Sequence, residues 1–153
     1  PQQNRPKTCR VGAWLPHRVT SPKPMNLTPD SKVLIQGITE PLGAIYAAKM
    51  KAYGTNVVAG VSPGQGGQTL NEIPVFDLVE QAISVVGEID TTIIFVHPYL
   101  VLDAALEAIA SGIRQIILIT GGIPPLDMVY LLRESEATQT SVLGPNSLGI
   151  VVP

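Results

Sequence analysis

The sequence is poor in the residues from which compact chemical sites are most often built. It has one cysteine, Cys9, which excludes an internal disulfide framework and a cysteine-rich zinc site. Two histidines, His17 and His97, are too few to build a metal centre of their own. Apolar runs are short, far below the roughly 20 residues a membrane-spanning helix requires. Aromatic residues make up 5% of the chain and charged residues 14%. The formal net charge of −2 argues against nucleic acid as the main partner. What the chain does have is size and oil: 153 residues, 45% of them apolar, enough for one domain with a buried core.

Charge is unevenly spread. Residues 1–24 lack acids and carry Arg5, Lys7, Arg10, Arg18 and Lys23. Residues 25–153 hold all 12 acids, against Lys32, Lys49, Lys51, Arg114 and Arg133. The first stretch also contains Pro1, Pro6, Pro16, Pro22 and Pro24, which oppose a helix there. It has no apolar core of a secretory signal, and its prolines disfavour the amphipathic helix of a transit peptide. We read residues 1–26 as a flexible basic leader, with Trp14 and Leu15 as its potential docking residues, and 27–153 as the folded domain. A cytoplasmic location is expected.

From Asp30 onward the pattern becomes regular. Lys32–Gln36, Asn56–Val61, Pro74–Phe76, Thr91–Val96, Gln115–Thr120 and Ser141–Leu143 read as short strands. Pro41–Tyr53, Leu78–Val86, Leu100–Ser111 and Pro124–Glu136 have helical spacing. Pro41 suits a first turn, Gly54 and Gly112 suit helix ends, and Asp77 suits a helix cap. Strands alternating with helices predict an α/β fold: a doubly wound, mostly parallel, Rossmann-like sheet with helices on both faces.

In such folds ligands sit beyond the carboxyl ends of the strands, at the point where strand order reverses. Four loops reach that edge. Gly37-Ile38-Thr39-Glu40-Pro41-Leu42-Gly43 leads into a helix, whose free amides and positive end suit a phosphate, although Glu40 opposes one. Ser62-Pro63-Gly64-Gln65-Gly66-Gly67-Gln68-Thr69 is polar and glycine-rich, and its amides and hydroxyls suit a nucleotide. Val96-His97-Pro98-Tyr99 and Ile119-Thr120-Gly121-Gly122-Ile123-Pro124 complete the set. An NAD site wants an acid at the end of the second strand, yet none lies between Glu40 and Glu72. No Lys or Arg lies between Lys51 and Arg114, which removes the NADP alternative as well. A lone loop histidine such as His97 is more often structural than catalytic. Ser147 has no identifiable base partner.

Taken in order, these segments resemble a known family. Gly37-x-Thr39-x-x-x-Gly43, Val61-Ser62-Pro63-Gly64-x-Gly66-Gly67, Ile119-Thr120-x-Gly122-Ile123-Pro124-x-Leu126-Asp127-Met128 and Gly144-Pro145-Asn146-x-x-Gly149 are similar to the N-terminal CoA-binding domain of the succinyl-CoA synthetase alpha subunit, and of related ADP-forming acyl-CoA and ATP-citrate enzymes. The likeness runs from Leu27 to Val152. It implies coenzyme A, held extended across the strand ends. Thr39, Glu40, Pro41, Leu42 and Gly43 would form the pyrophosphate-side turn. Ser62, Pro63 and Gln65 would meet the adenosine and 3′-phosphate end. Val96, His97, Pro98, Ile119, Thr120 and Gly121 would line the channel, with Asn146 near the pantetheine and thiol.

The sequence also departs from that pattern. The family usually has glycine where Glu40 stands and an acid where Gly121 stands, and often lysine at the place of Gln65 and cysteine at that of Ser147. Losing a cation and gaining an anion weaken phosphate binding, so weak CoA binding, or an altered nucleotide choice, is expected. The resemblance further implies a phosphohistidine in a second domain beyond Pro153 and an ATP-grasp beta subunit, so this chain alone is expected to be inactive as a ligase. A homo-oligomer is the alternative to that beta-subunit partner, and a stand-alone regulatory or assembly module with a drifted nucleotide site is the alternative function.

Overall fold

The computed structural model describes residues 24–151. The expectations for Trp14 and Leu15 therefore lie outside the described residues. Seven strands form one sheet: β1 (Val33–Gln36), β2 (Val57–Val61), β3 (Thr69–Leu70), β4 (Ile73–Phe76), β5 (Thr91–Ile94), β6 (Gln115–Leu118) and β7 (Ser141–Leu143). The helices are α1 (Pro41–Tyr53), α2 (Val79–Val86), α3 (Val101–Ala110) and α4 (Pro125–Thr138), and one 3-10 turn over Pro98–Leu100 precedes α3. Strand order is β3-β4-β2-β1-β5-β6-β7, parallel throughout except for the β3–β4 pair. The doubly wound Rossmann-like architecture is therefore present. Order reverses between β1 and β5, which pair directly.

The sequence explains this layering. β1 is central, and all four of its residues are buried. Its one polar member, Gln36, is satisfied: its side-chain amide donates to the Ala104 carbonyl at 2.9 Å and its oxygen accepts from the Thr92 hydroxyl at 2.9 Å. One face of the sheet is covered by α2, α3 and α4, through Val79, Ala82, Val101, Ala105, Ala108, Ile109 and Leu131. On the other, α1 contributes Ala47 against Val33, Ile35, Ile93, Phe95 and Ile117, with Met25 at the margin. Residues ahead of β1 are tied in as well, since the Gln115 side-chain amide donates to the Asn26 carbonyl at 3.2 Å.

Three features differ from the sequence expectation. β3 was not foreseen: it has two residues, joined to β4 by Asn71 and Glu72 at φ 49° and 63°. Positive φ at both centres is the hairpin geometry that suits strand twist, here without the usual glycine. β5 and β6 end at Ile94 and Leu118, short of Val96 and Thr120, because their ladder ends at that pair. Asp77 does not cap α2: Leu78 holds the cap position, and Val79 N–H donates to the Glu107 carboxylate at 2.8 Å. Asp77 is engaged elsewhere, as described below. No helix among the described residues is long and apolar enough to cross a membrane.

Candidate functional site

Every segment singled out in the sequence ends at one edge of the sheet, beyond the carboxyl ends of β1, β2, β5, β6 and β7. Hydrogen bonds and close contacts stitch them into a continuous rim. The Thr39 and Ser62 hydroxyls are bonded at 2.5 Å, joining the turn after β1 to the loop after β2. Gly37, at φ +79°, lies against Val96, the first residue of the next loop. The Thr120 hydroxyl donates to the Val96 carbonyl at 2.7 Å, and Asn146 N–H donates to the Thr120 carbonyl at 3.2 Å.

The turn after β1 is built around an approach that only glycine permits. A Cβ on Gly43 would stand 2.1 Å from the Gly37 carbonyl oxygen, so α1 begins pressed against the preceding turn. Pro41 takes the first helical position and has no N–H to orphan. Glu40 occupies the cap position, is exposed, and makes no side-chain capping bond. No acceptor among the described residues meets the Leu42 and Gly43 amides. Two donors at a helix start, Leu42 exposed and Gly43 buried, therefore have no described partner, and the positive end of the helix dipole lies behind them.

The loop after β2 is arranged differently: the amides of Ser62, Gln65, Gly66 and Gly67 are committed within the protein, and those of Gly64 and Gln68 have no described partner. Gln65 N–H donates to the Ser62 carbonyl at 3.1 Å and Gly67 N–H to the Val75 carbonyl at 2.9 Å. Gly66 N–H donates to the Asp77 carboxylate at 2.9 Å. The register that sets Val61 opposite Phe76 brings Asp77 beside this loop. Linear spacing from β2 concealed that neighbour, because it arrives through β4. Pro63 and Gln65 are exposed, and the Gln65 side-chain oxygen accepts from Gln68 at 3.2 Å.

The remaining positions fall as follows. His97 is exposed and its ring stacks on Tyr99, centroids 5.5 Å apart; Pro98 and Ile119 are half-buried. Asn146 has φ 54°, and its side-chain oxygen would lie 3.0 Å from a Cβ on Gly121. An acid there would have to displace Asn146. Each cation among the described residues is placed off the rim. Lys32 donates to the Val86 carbonyl, Lys49 lies over Tyr46, Lys51 pairs with Glu72, Arg114 donates to the Ile109 carbonyl, and Arg133 is within α4. No group of three or more His, Cys, Asp or Glu able to hold a metal occurs among the described residues.

This rim of glycine turns at the switch point meets its counterpart in known sequences. A family model described as CoA binding domain matches residues 28–122. The chain belongs to the CoA-binding domain family. It is 43% identical over 135 residues to the malate–CoA ligase alpha subunit of Methylorubrum extorquens, across 84% of this chain and 45% of that protein. It is 39% identical over 124 residues to a succinate–CoA ligase [ADP-forming] alpha subunit of Archaeoglobus fulgidus, across 81% of this chain and 42% of that one. The chain thus spans less than half the length of these curated relatives. Among solved structures, the dinucleotide-forming acetyl-coenzyme A synthetase 1 of Ca. Korarchaeum cryptofilum shares the fold, with a TM-score of 0.64 and 20% identity over 78% of this chain and 27% of that one. This CoA-binding domain is homologous to the N-terminal domain of succinyl-CoA synthetase alpha subunits, and coenzyme A is the cofactor its family assigns to it.

Proposed function

We propose that the rim holds coenzyme A extended along the strand ends, with its diphosphate at the turn after β1. The observation that carries this reading is the pair of unclaimed amides at Leu42 and Gly43, set at the start of α1. Amides at a helix start bind phosphate oxygens without needing a cation. The Thr39 hydroxyl adds a donor once it turns from Ser62. The adenosine end would run toward Ser62, Pro63 and Gln65. The pantetheine arm would run past Val96, His97, Pro98, Ile119, Thr120 and Gly121, with Asn146 nearest the thiol. Glu40 at the cap and the absence of rim cations among the described residues support weak binding.

The wider role follows from the relatives, which are subunits of ligases. We propose that the domain presents the CoA thiol within an alpha-type ligase subunit that works with an ATP-grasp partner. It binds and orients the thiol, and the phosphoryl steps belong to other domains. His97, exposed and stacked on Tyr99, is given no phosphoryl-carrying part. Isothermal titration of the chain with CoA, ADP, AMP and NAD tests the site. Binding of CoA in the micromolar range, with NAD silent, is expected. Silence toward CoA, or tighter binding of NAD, overturns the reading.

A further inference from the structure

One residue of the turn after β1 is buried as deeply as any in the core. Ile38 lies between Gly37 and Thr39, outside every helix and strand, and yet its exposure is 0%. Its side chain joins the core on the α1 face, with Ile35, Ala47, Val75 and Phe95. The space it fills is left open by a glycine of β2. In register, Gly60 stands between Ile35 of β1 and Val75 of β4, and both of these belong to the same core. A Cβ on Gly60 would stand 2.5 Å from Cδ1, 2.6 Å from Cγ2 and 2.9 Å from Cβ of Ile38. Gly60 lies within a regular strand and has no positive φ, so space rather than backbone conformation requires glycine there.

We propose that Ile38 is a positioning residue of the CoA site: seated in the notch at Gly60, it fixes where the turn after β1 holds the Thr39 hydroxyl and the Leu42 and Gly43 amides. The inference rests on the proposed placement of the diphosphate at that turn. Ile38 has no surface with which to touch a ligand, so it acts through its neighbours in the chain. Thr39 follows it directly and meets Ser62 across the rim. Backbone bonds hold the turn beside it, from Gly37 N–H to the Val61 carbonyl at 2.8 Å and from Glu40 N–H to the Gly37 carbonyl at 3.0 Å. Hydrogen bonds to phosphate weaken steeply as distance and angle depart from their optimum, so the depth at which Ile38 seats bears on affinity. A turn placed by packing is ordered at folding rather than at binding.

The test is titration with CoA of the wild type, Ile38→Val, Gly60→Ala, the double variant Gly60→Ala with Ile38→Ala, and Ile113→Val as a control. Ile113 is also 0% exposed, but it lies ahead of β6 in the core of the other face, far from the rim. Melting curves establish that each variant is folded at the titration temperature. Ile38→Val should weaken CoA binding by about threefold and Gly60→Ala by about tenfold, the range of a hydrogen bond to a charged group bent or lost. Ile113→Val should lower the melting temperature and leave affinity unchanged. The double variant removes the two shortest contacts at the notch, so it should bind CoA more tightly than Gly60→Ala. A merely structural Ile38 would move stability alone. Unchanged affinity in Ile38→Val and Gly60→Ala, or a double variant no better than Gly60→Ala, overturns the inference and leaves the proposed function standing. Should Gly60→Ala not fold, Ile38→Val against Ile113→Val decides by itself, and equal affinities overturn the inference. Failure of the wild type to bind CoA overturns the proposed function, and the inference with it.

Discussion

The turn after β1 and the loop after β2 lie side by side, joined by the Thr39–Ser62 hydroxyl pair, and both are glycine-rich. Their glycines serve opposite ends. In the first, Gly43 removes a Cβ that would collide with backbone, and the helix start leaves donors unclaimed. In the second, Gly64 and Gly67 take positive φ with open space around them, and the amides of Ser62, Gln65, Gly66 and Gly67 are spent on its own closure. Glycine content alone therefore says little about phosphate binding. The deciding quantity is where each N–H goes.

Substitution of glycines gives the largest contrast. Gly43→Ala should cost about 2–3 kcal/mol of stability, because its Cβ meets a backbone oxygen that cannot swing aside. Gly64→Ala meets no atom within 4 Å and is charged only for its φ of +78°, at about 1 kcal/mol. Denaturant melts of the two variants measure both. Equal losses would mean that the first turn is not set by steric approach.

A cation placed in the second loop should have the next largest effect. Gln65→Lys restores a positive charge on an exposed position near Asp77, and should tighten CoA binding by about 0.5–1 kcal/mol at low salt. The gain should fade as salt rises. Unchanged CoA affinity at low salt would place the ligand's phosphorylated end elsewhere. Removing the anion from the first turn should do less. Glu40→Gln keeps the ordinary extended backbone of the cap, φ −62° and ψ 146°, and should improve CoA binding by about 0.3–0.5 kcal/mol. It should act alike on CoA and dephospho-CoA, since both carry the diphosphate. Titration of the pair separates this from an effect at the second loop.

The two loops also show how far the sequence could be read. α1 spans Pro41–Tyr53 as its spacing indicates, because a proline opens it and Gly54, at φ +98°, closes it with bonds to Met50 and Lys51. Buried strands announced themselves as apolar runs, and the direct β1–β5 pairing follows from right-handed crossovers. β3 was hidden because two residues carry no period and their turn lacks glycine. At the site, residues on one loop could be grouped by motif. Asp77 could not, because its neighbour across the β2–β4 register lies 11 positions away in the chain. Its place beside the loop is invisible to any rule that counts residues from β2.

The smallest expected effect concerns how the second loop is held. Lys51 reaches from the end of α1 to the β3–β4 turn, donating to the Asn71 carbonyl at 2.8 Å and pairing with Glu72. The hydrogen bond from Lys51, followed by its charge, holds the Glu72 carboxyl below the ordinary value of 4.5. A depressed folded value means that the pair stabilises above the unfolded value, and that this stabilisation is lost as pH falls through the depressed one. Lys51→Met should therefore lower the melting temperature slightly at neutral pH, with the difference from wild type vanishing in acid. Glu72 is exposed, so the difference should stand near the limit of measurement. The informative readout is binding. The loop is closed by Gly66–Asp77 and Gly67–Val75 at the other end of β4, so CoA affinity should not change in Lys51→Met. A loss there would show that the hairpin, rather than the amides of the loop itself, sets the shape of the loop.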